Sequence, residues 1–203
     1  MRRALLALGL LVLAAAWLGP LPRLAPRAFW AHMTMHMAVV AVAAPLLALA
    51  VAGARFDPVR RGARLLSPIM ASVVELVVVW AWHTPALHHA ARGGAAGLVI
   101  EQAMFLLAGL LLWLSAFGGD APRRGNRAAA GVVGLLLTSM HMTLLGALLA
   151  LAQRPLYAHG KLEDQHLGGA IMLLAGGLSY LLGGLWLTAA LLRGPVLAPE
   201  ERT

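Results

Sequence analysis

The chain has 203 residues, of which 61% are hydrophobic and only 12% are charged, and its mean hydropathy is +0.80. Soluble domains contain roughly 45–50% apolar and 25% charged residues, so the composition excludes an ordinary soluble protein. The formal net charge of +8 would suggest a nucleic-acid partner in a soluble protein. Here the arginines lie in short loops beside apolar stretches, where the positive-inside rule explains them. We therefore predict an all-α polytopic membrane protein surrounded by lipid, with no nucleic-acid partner.

Six apolar stretches predict a bundle of about six transmembrane helices. A spanning helix needs about 20 residues, and most of the stretches approach or exceed this length. The short segments that connect them cannot separate domains, so residues 1–203 are expected to form a single membrane domain. The predicted spans are approximately 5–18, 29–51, 69–82, 95–117, 128–151 and 167–192.

The first stretch has two interpretations. Its basic start at Arg2 and Arg3, its apolar middle and its small residues at 14–16 are also typical of a cleaved signal peptide. We favour a retained membrane anchor, because Trp17 and the pair Gly19-Pro20 resemble the end of a helix at the membrane interface.

The distribution of basic residues predicts the orientation of the bundle. Six spans place eleven of the 16 lysines and arginines on the side of the two termini and five on the other side. Basic residues concentrate in the cytoplasm, so both termini are expected to be cytoplasmic in a bacterial inner membrane. All eight histidines then fall on the outer, periplasmic side: His32 and His36 at the start of the second span, His83 at the end of the third, His141 in the outer half of the fifth, and His88, His89, His159 and His166 in outer loops.

His32 and His36 are the strongest candidate metal ligands. They lie four residues apart, so on a helix they share one face, with Met35 at the intervening position. The chain has no cysteine, so a metal would need histidine, methionine or oxygen ligands. Imidazole binds copper, zinc, iron and nickel, and thioether selects Cu(I). Several methionines accompany these histidines, which makes copper the leading metal: Met33, Met35, Met37, Met140 and Met142.

Two alternatives remain at this point. Methionines in a membrane bundle commonly fill gaps in the core, and buried histidines can be hydrogen-bonded between helices or bind a partner protein. The acidic residues also have more than one possible role. Glu101 is expected to bind the metal, to orient a histidine or to complement a helix start, and Glu75 to be protonated or paired in the middle of the third span. Asp164 is expected to start the last helix, and Gln165 and His166 to face water or headgroups.

The motifs resemble the CtaG family of multi-spanning cytochrome c oxidase assembly factors. The resemblance covers most of residues 29–190 and rests on four ordered motifs. They are Phe29-x-x-His32-Met33-x-x-His36 followed by Ala44-Pro45-Leu46-Leu47; Trp82-His83-x-Pro85; Glu101-x-x-x-Phe105 running to Trp113; and Tyr157 with Asp164-Gln165-x-x-Gly168-Gly169.

The resemblance implies a role in the maturation of haem-copper oxidases, by supplying copper to oxidase subunits at the outer membrane face. The sequence departs from the family pattern at two positions: Met35 replaces a common Gln, and Gln102 replaces a His that commonly follows the Glu. The chain also has one span fewer than the usual seven.

We therefore expect a non-catalytic protein with an outward-facing Cu(I) site of His32, His36 and His83, which His141 and Met35 complete. We expect Glu101, Asp164 and His166 to support the metal ligands or to line the path by which the metal enters. Two other functions stay open: a haem-binding electron carrier, with histidines as axial ligands, and a structural protein that stabilises an oxidase subunit. The sequence also leaves a homo-oligomer open.

Overall fold

The computed structural model describes residues 1–61, 67–119, 124–157 and 161–193. In these ranges the chain forms α-helices and no strand, which confirms the predicted all-α fold. The α-helices are α1 (Arg2–Leu18), α2 (Leu21–Leu24), α3 (Phe29–Met37), α4 (Ala44–Val51), α5 (Pro68–Trp82), α6 (Pro85–Arg92), α7 (Ala95–Phe117), α8 (Arg124–Ala150) and α9 (Leu162–Leu192). A π-helical segment (Ala38–Ala43) joins α3 to α4, and a 3-10 turn (Pro58–Arg61) follows α4.

Five helical stretches are long and apolar enough to cross a membrane, and a bent pair of helices brings the number to six. One stretch, Phe29–Val51, runs through the π-helical segment. The bent pair is α5, with only 15 residues, and α6, which turns away from it by 72°. The bend follows from Pro85, because the residue before a proline avoids the helical region, and Thr84 is extended. α5 thus coincides with the predicted third span, 69–82, and the bend that follows it was not predicted.

The last helix begins earlier than predicted. α9 starts at Leu162 rather than at residue 167, and its first turn contains Glu163 and Asp164. The span bounds were predicted from hydropathy, but Asp164 was also expected at the start of this helix, and it lies in the first turn, where a carboxylate complements the positive end of the helix dipole.

Helices meet at one end of the bundle around residues 25–32, 83–101, 149–157 and 161–166, here called the histidine end. The starts of α3 and α9 meet there, because Asp164 bonds to the backbone of Phe29. The end of α5 meets the loop after α8, because the hydroxyl of Tyr157 donates a 2.9 Å hydrogen bond to the carbonyl of His83.

Asp57 organises the opposite end of the bundle. Its side chain is only 1% exposed, and its two oxygens accept hydrogen bonds of 2.8–2.9 Å from the backbone N–H groups of Gly53, Val59 and Gly119. The carboxylate thereby connects the turn after α4 to the end of α7. No sequence motif pointed to this residue.

Close packing of α8 against α9 depends on glycine. A Cβ atom on Gly169 would lie 2.5 Å from the backbone nitrogen of Ala150 and 2.7 Å from the carbonyl oxygen of Gly146. A Cβ on Gly168 would lie 2.4 Å from the ring of Phe29. Small residues let helix backbones approach in membranes, and here they bring α9 close to the helix that contains His32 and His36.

Candidate metal site: a buried histidine cluster

Four histidine rings from three helical segments meet at the histidine end. His32 and His36 lie on α3, His83 directly follows α5, and His88 lies on α6. Their exposed fractions are 0%, 0%, 5% and 7%. The ring centroid of His83 lies 5.4 Å from that of His32 and 5.2 Å from that of His36. The ring centroid of His88 lies 5.0 Å from that of His32. The structure thus places three of the four predicted histidine ligands side by side and adds the ring of His88.

Helical spacing and the bend at Pro85 explain this cluster. The rings of His32 and His36 are nearly parallel, with an interplanar angle of 7° and centroids 6.3 Å apart, as expected for positions four residues apart on one helix face. The bend returns α6 over the cluster, so that His88 contacts Phe29 and Tyr157. The predicted loop positions of His88, His89 and His166 were wrong: His88 and His89 lie on α6, which follows an unpredicted bend, and His166 lies on α9.

Four buried nitrogens of these rings have no hydrogen-bond partner among the described residues: Nε2 of His32, both ring nitrogens of His36, and Nε2 of His83. The Nδ1 atom of His83 lies 2.7 Å from the carbonyl oxygen of Val79. A carbonyl only accepts, so Nδ1 carries the proton and Nε2 of the neutral ring has a free lone pair. His83 is therefore oriented as a ligand with Nε2 available.

Arg92 joins His32, His88 and Glu101 in a charged network. Nη1 of Arg92 lies 3.0 Å from both carboxylate oxygens of Glu101, and Nη2 donates to Nδ1 of His32 and lies 3.4 Å from Nδ1 of His88. Glu101 is fully buried, so the guanidinium compensates a charge that would otherwise be costly. Arg92 was counted as a loop charge in the sequence, but it is a partner of the cluster.

Among the residues that the structure describes, one group brings three ligand atoms within 4.8 Å of one another: His32, His88 and Glu101. It contains one of the four predicted histidine ligands, His32, together with Glu101, which was assigned a supporting position. The site of His32, His36 and His83 stays a prediction, supported by adjacent rings and unpartnered nitrogens.

Neighbouring side chains hold the cluster in place. Phe105 packs against His36 with a centroid distance of 4.1 Å. Gln102, which departs from the family pattern, donates to Glu101 at 3.3 Å and accepts from Trp17 at 3.4 Å. Burial raises the pKa of Tyr157, so its hydroxyl stays protonated as the donor to His83.

The remaining predicted ligands lie in other surroundings. His141 on α8 is 6% exposed, and both its ring nitrogens lack a hydrogen-bond partner in the described part of the chain. Met35 is fully buried in a small apolar cluster with Ala16 and Ala25. Their roles as ligands stay predictions.

Asp164 and His166, the two supporting residues on α9, bond to backbone groups. Asp164 accepts from the N–H groups of Phe29 and Trp30. Nε2 of His166 lies 2.8 Å from the carbonyl oxygen of Ala152 and therefore donates to it. Gln165 was expected to face water, but it is 2% exposed and bonds to Leu149 and Leu156.

Two other sequence positions complete the comparison. Glu75 is fully buried, and one of its oxygens accepts a 3.2 Å hydrogen bond from the hydroxyl of Tyr180 on α9, so the expected pairing is found. His159, placed in an outer loop by the sequence, lies outside the described residues.

The fold and the cluster define a class of protein: a polytopic α-helical membrane protein with a buried, histidine-rich site near one end of its bundle. The family model for the cytochrome c oxidase caa3 assembly factor (Caa3_CtaG) matches residues 1–194, and the chain belongs to this family. No curated protein and no solved structure matches the chain significantly.

Proposed function

We propose that this assembly factor binds Cu(I) through His32, His36 and His83, here called the inner site, and transfers it to a subunit of a haem-copper oxidase. The unpartnered nitrogens carry the proposal. Leaving a buried polar atom without a partner costs about 1–3 kcal/mol, and four such nitrogens lie in three adjacent rings. A metal ion bound to one nitrogen of each ring would supply three of the missing interactions, with His32 binding through Nε2 in the tautomer whose proton is on Nδ1.

The spacing of the rings supports a shared ion. A metal–nitrogen bond of about 2 Å puts a ring centre about 3 Å from the metal, so two rings on one ion lie about 5–6 Å apart. The ring of His83 lies 5.4 Å from that of His32 and 5.2 Å from that of His36, within this range, whereas His32 and His36 are 6.3 Å apart, slightly beyond it. Neutral imidazole nitrogens suit copper, and the absence of cysteine from the chain leaves a site of moderate affinity from which copper can be released.

Transfer would occur by ligand exchange, without catalysis. The bond from His83 to Val79 keeps Nε2 directed as an acceptor, and Phe105 packs against the rings, which excludes water. We propose that the histidine end faces the periplasm of a bacterial inner membrane, with both termini cytoplasmic. The support is the count of eleven basic residues against five, because basic residues favour the cytoplasmic side.

A copper competition experiment tests the proposal. The purified protein in detergent is titrated with Cu(I) under reductant against a chromophoric chelator. We expect His36→Ala and His83→Ala to weaken Cu(I) binding by more than the 10–100-fold typical of residues that only orient a ligand. His166→Ala is the matched control, because it removes an imidazole at the same end that bonds to a backbone carbonyl.

A cellular experiment tests the transfer step. In a deletion strain, His32→Ala combined with His36→Ala should accumulate in the membrane but yield an oxidase without its full copper content. A normally loaded oxidase would contradict the transfer role. Loss of the variant from the membrane would favour a structural role for the pair, and a haem absorption band in the purified protein would favour the electron carrier.

A further inference from the structure

A second set of metal-binding atoms lies beside the inner site. Nδ1 or Nε2 atoms of His32 and His88 and a carboxylate oxygen of Glu101 are all within 4.8 Å of one another. Arg92 contacts all three residues. A positive group therefore already lies among atoms that together are suited to binding a cation.

We propose that His32, His88 and Glu101 form a separate site for a divalent transition-metal cation, here called the outer site, and that the Arg92 guanidinium replaces the metal until one binds. This inference goes beyond the proposed function. It shares His32 with the inner site but does not require Cu(I) binding there.

The electrostatics of Glu101 support an exchange of cations. The carboxylate is completely buried, so it needs a positive partner both before and after a metal ion binds. Arg92 provides two 3.0 Å bonds to it. A divalent ion bound to the same oxygen would satisfy the same requirement, and Arg92 could then withdraw without leaving a bare charge behind.

Arg92 itself is incompletely bonded at this position. Its Nε atom is buried and has no partner among the described residues. A guanidinium has five N–H donors, and a buried donor without an acceptor is unfavourable. When Arg92 withdraws, it therefore leaves a position in which not all of its N–H donors were hydrogen-bonded.

A cavity of about 460 Å³ provides the space for this withdrawal. It is lined by Arg92 and His88 together with Phe29, His89 and Tyr157, among others. Because Arg92 lines both the cavity and the outer site, its guanidinium can move into the cavity as a metal ion arrives.

The ligand set determines which metals fit. Two imidazole nitrogens and one carboxylate oxygen suit Cu²⁺ or Zn²⁺ rather than the all-oxygen preference of Mg²⁺ or Ca²⁺. The carboxylate also distinguishes this site from the all-histidine inner site, which suits the softer Cu(I).

The shared His32 makes the two sites mutually exclusive. A neutral imidazole has one nitrogen with a free lone pair. While Arg92 donates to Nδ1, that lone pair is on Nδ1, and Nε2 carries the proton. His32 can therefore bind a metal in the outer site through Nδ1 or in the inner site through Nε2, but not in both.

Cu²⁺ binding to the full-length protein in detergent tests the outer site, with electron paramagnetic resonance counting the nitrogen ligands. We expect Arg92→Gln to tighten Cu²⁺ binding by about tenfold or more, because a competing charge is removed from a low-dielectric site. His88→Ala should remove one nitrogen ligand and weaken Cu²⁺ binding. Leu87→Ala, at an exposed position of α6 that does not line this cavity, is the control and should change neither.

Cu(I) measurements separate this inference from the proposed function. His88→Ala should leave Cu(I) binding unchanged, and His36→Ala should weaken Cu(I) binding but not Cu²⁺ binding. Unchanged or weaker Cu²⁺ binding in Arg92→Gln, or an unchanged nitrogen count in His88→Ala, would overturn the outer site. If Arg92→Gln does not accumulate, Arg92→Met gives the same comparison, because it also removes the positive charge; equal Cu²⁺ affinity in that variant would again contradict the exchange.

Discussion

Asp164, in the first turn of α9, accepts a 2.6 Å hydrogen bond from the backbone N–H of Phe29, at the first position of α3. Its second oxygen accepts a 3.0 Å bond from Trp30. The N-cap of α3 is Ala28, which offers no side-chain acceptor, so a residue from another helix satisfies these donors. His32 follows within the first turn. Asp164 therefore fixes the start of the helix that contains His32 and His36.

We predict that Asp164→Ala lowers the free energy of unfolding by about 1–2 kcal/mol, the usual cost of losing a helix cap, and that Asp164→Asn costs less because the amide keeps one acceptor. Unfolding in detergent followed by circular dichroism measures both. Glu163→Ala, at the exposed neighbouring position, is the control. An Asp164→Ala variant as stable as this control would contradict a capping role.

A second prediction concerns glycine packing on α9. Gly169→Ala would place a Cβ within 2.5–2.9 Å of the backbone of Ala150, and overpacking of this kind costs about 1–3 kcal/mol. Gly177→Ala is the matched control on the same helix, because nothing lies within 4 Å of its Cβ position. It should be neutral or stabilising by up to about 1 kcal/mol, the difference in helix propensity. Equal thermal stability of the two variants would contradict the close approach of α8 and α9.

Periodicity and hydropathy predicted much of this molecule. The spans follow from runs of apolar residues, since a backbone in lipid must satisfy its own hydrogen bonds. The shared face of His32 and His36 follows from their spacing alone. Their meeting with His83 was expected from the resemblance and from placing each histidine by depth, and the structure finds the three rings adjacent.

Contacts that depend on a change in chain direction were not predictable in this way. His88 and Arg92 belong to a hydrophilic segment that looks like a loop, and only the 72° bend between α5 and α6 brings them onto the cluster. The pair Thr84-Pro85 signals a helix break but does not give its angle. Likewise, Asp164 bonds to a residue 135 positions away, which no local pattern specifies.

Asp57 allows stability to be separated from metal binding. It accepts three backbone hydrogen bonds at the end opposite the histidines, and removing a buried acceptor leaves donors unpaired at about 1–3 kcal/mol each. We predict that Asp57→Ala lowers thermal stability by several degrees but leaves Cu(I) affinity unchanged below the unfolding temperature. A loss of Cu(I) affinity in the folded variant would show that the two ends are coupled.

The orientation of the bundle is a further prediction. Six spans place both termini on the same side, and the excess of basic residues makes that side the cytoplasm. Reporter fusions at Thr203 should therefore be active only as cytoplasmic reporters, and a fusion in the loop after α8 should give the opposite result. A periplasmic Thr203 would mean an odd number of spans, most simply through cleavage of the first segment.

The last prediction ranks two residues by their effect on Cu(I). His83 offers Nε2 to the inner site, whereas Glu101 contacts His32 only on the Nδ1 side, at 3.6 Å, and is bonded to Arg92. Glu101→Gln should therefore weaken Cu(I) binding within the 10–100-fold range typical of a group that orients a ligand, and His83→Ala should weaken it more, because a metal–nitrogen bond is lost.

The same two variants should rank in reverse with Cu²⁺. Glu101→Gln removes the carboxylate of the outer site, while His83 lies outside that group of ligand atoms. Chelator competition for Cu(I) and spectroscopic titration for Cu²⁺, on the same preparations, give both rankings. If Glu101→Gln weakens Cu(I) binding as strongly as His83→Ala, Glu101 binds the copper directly, and the two sites are one.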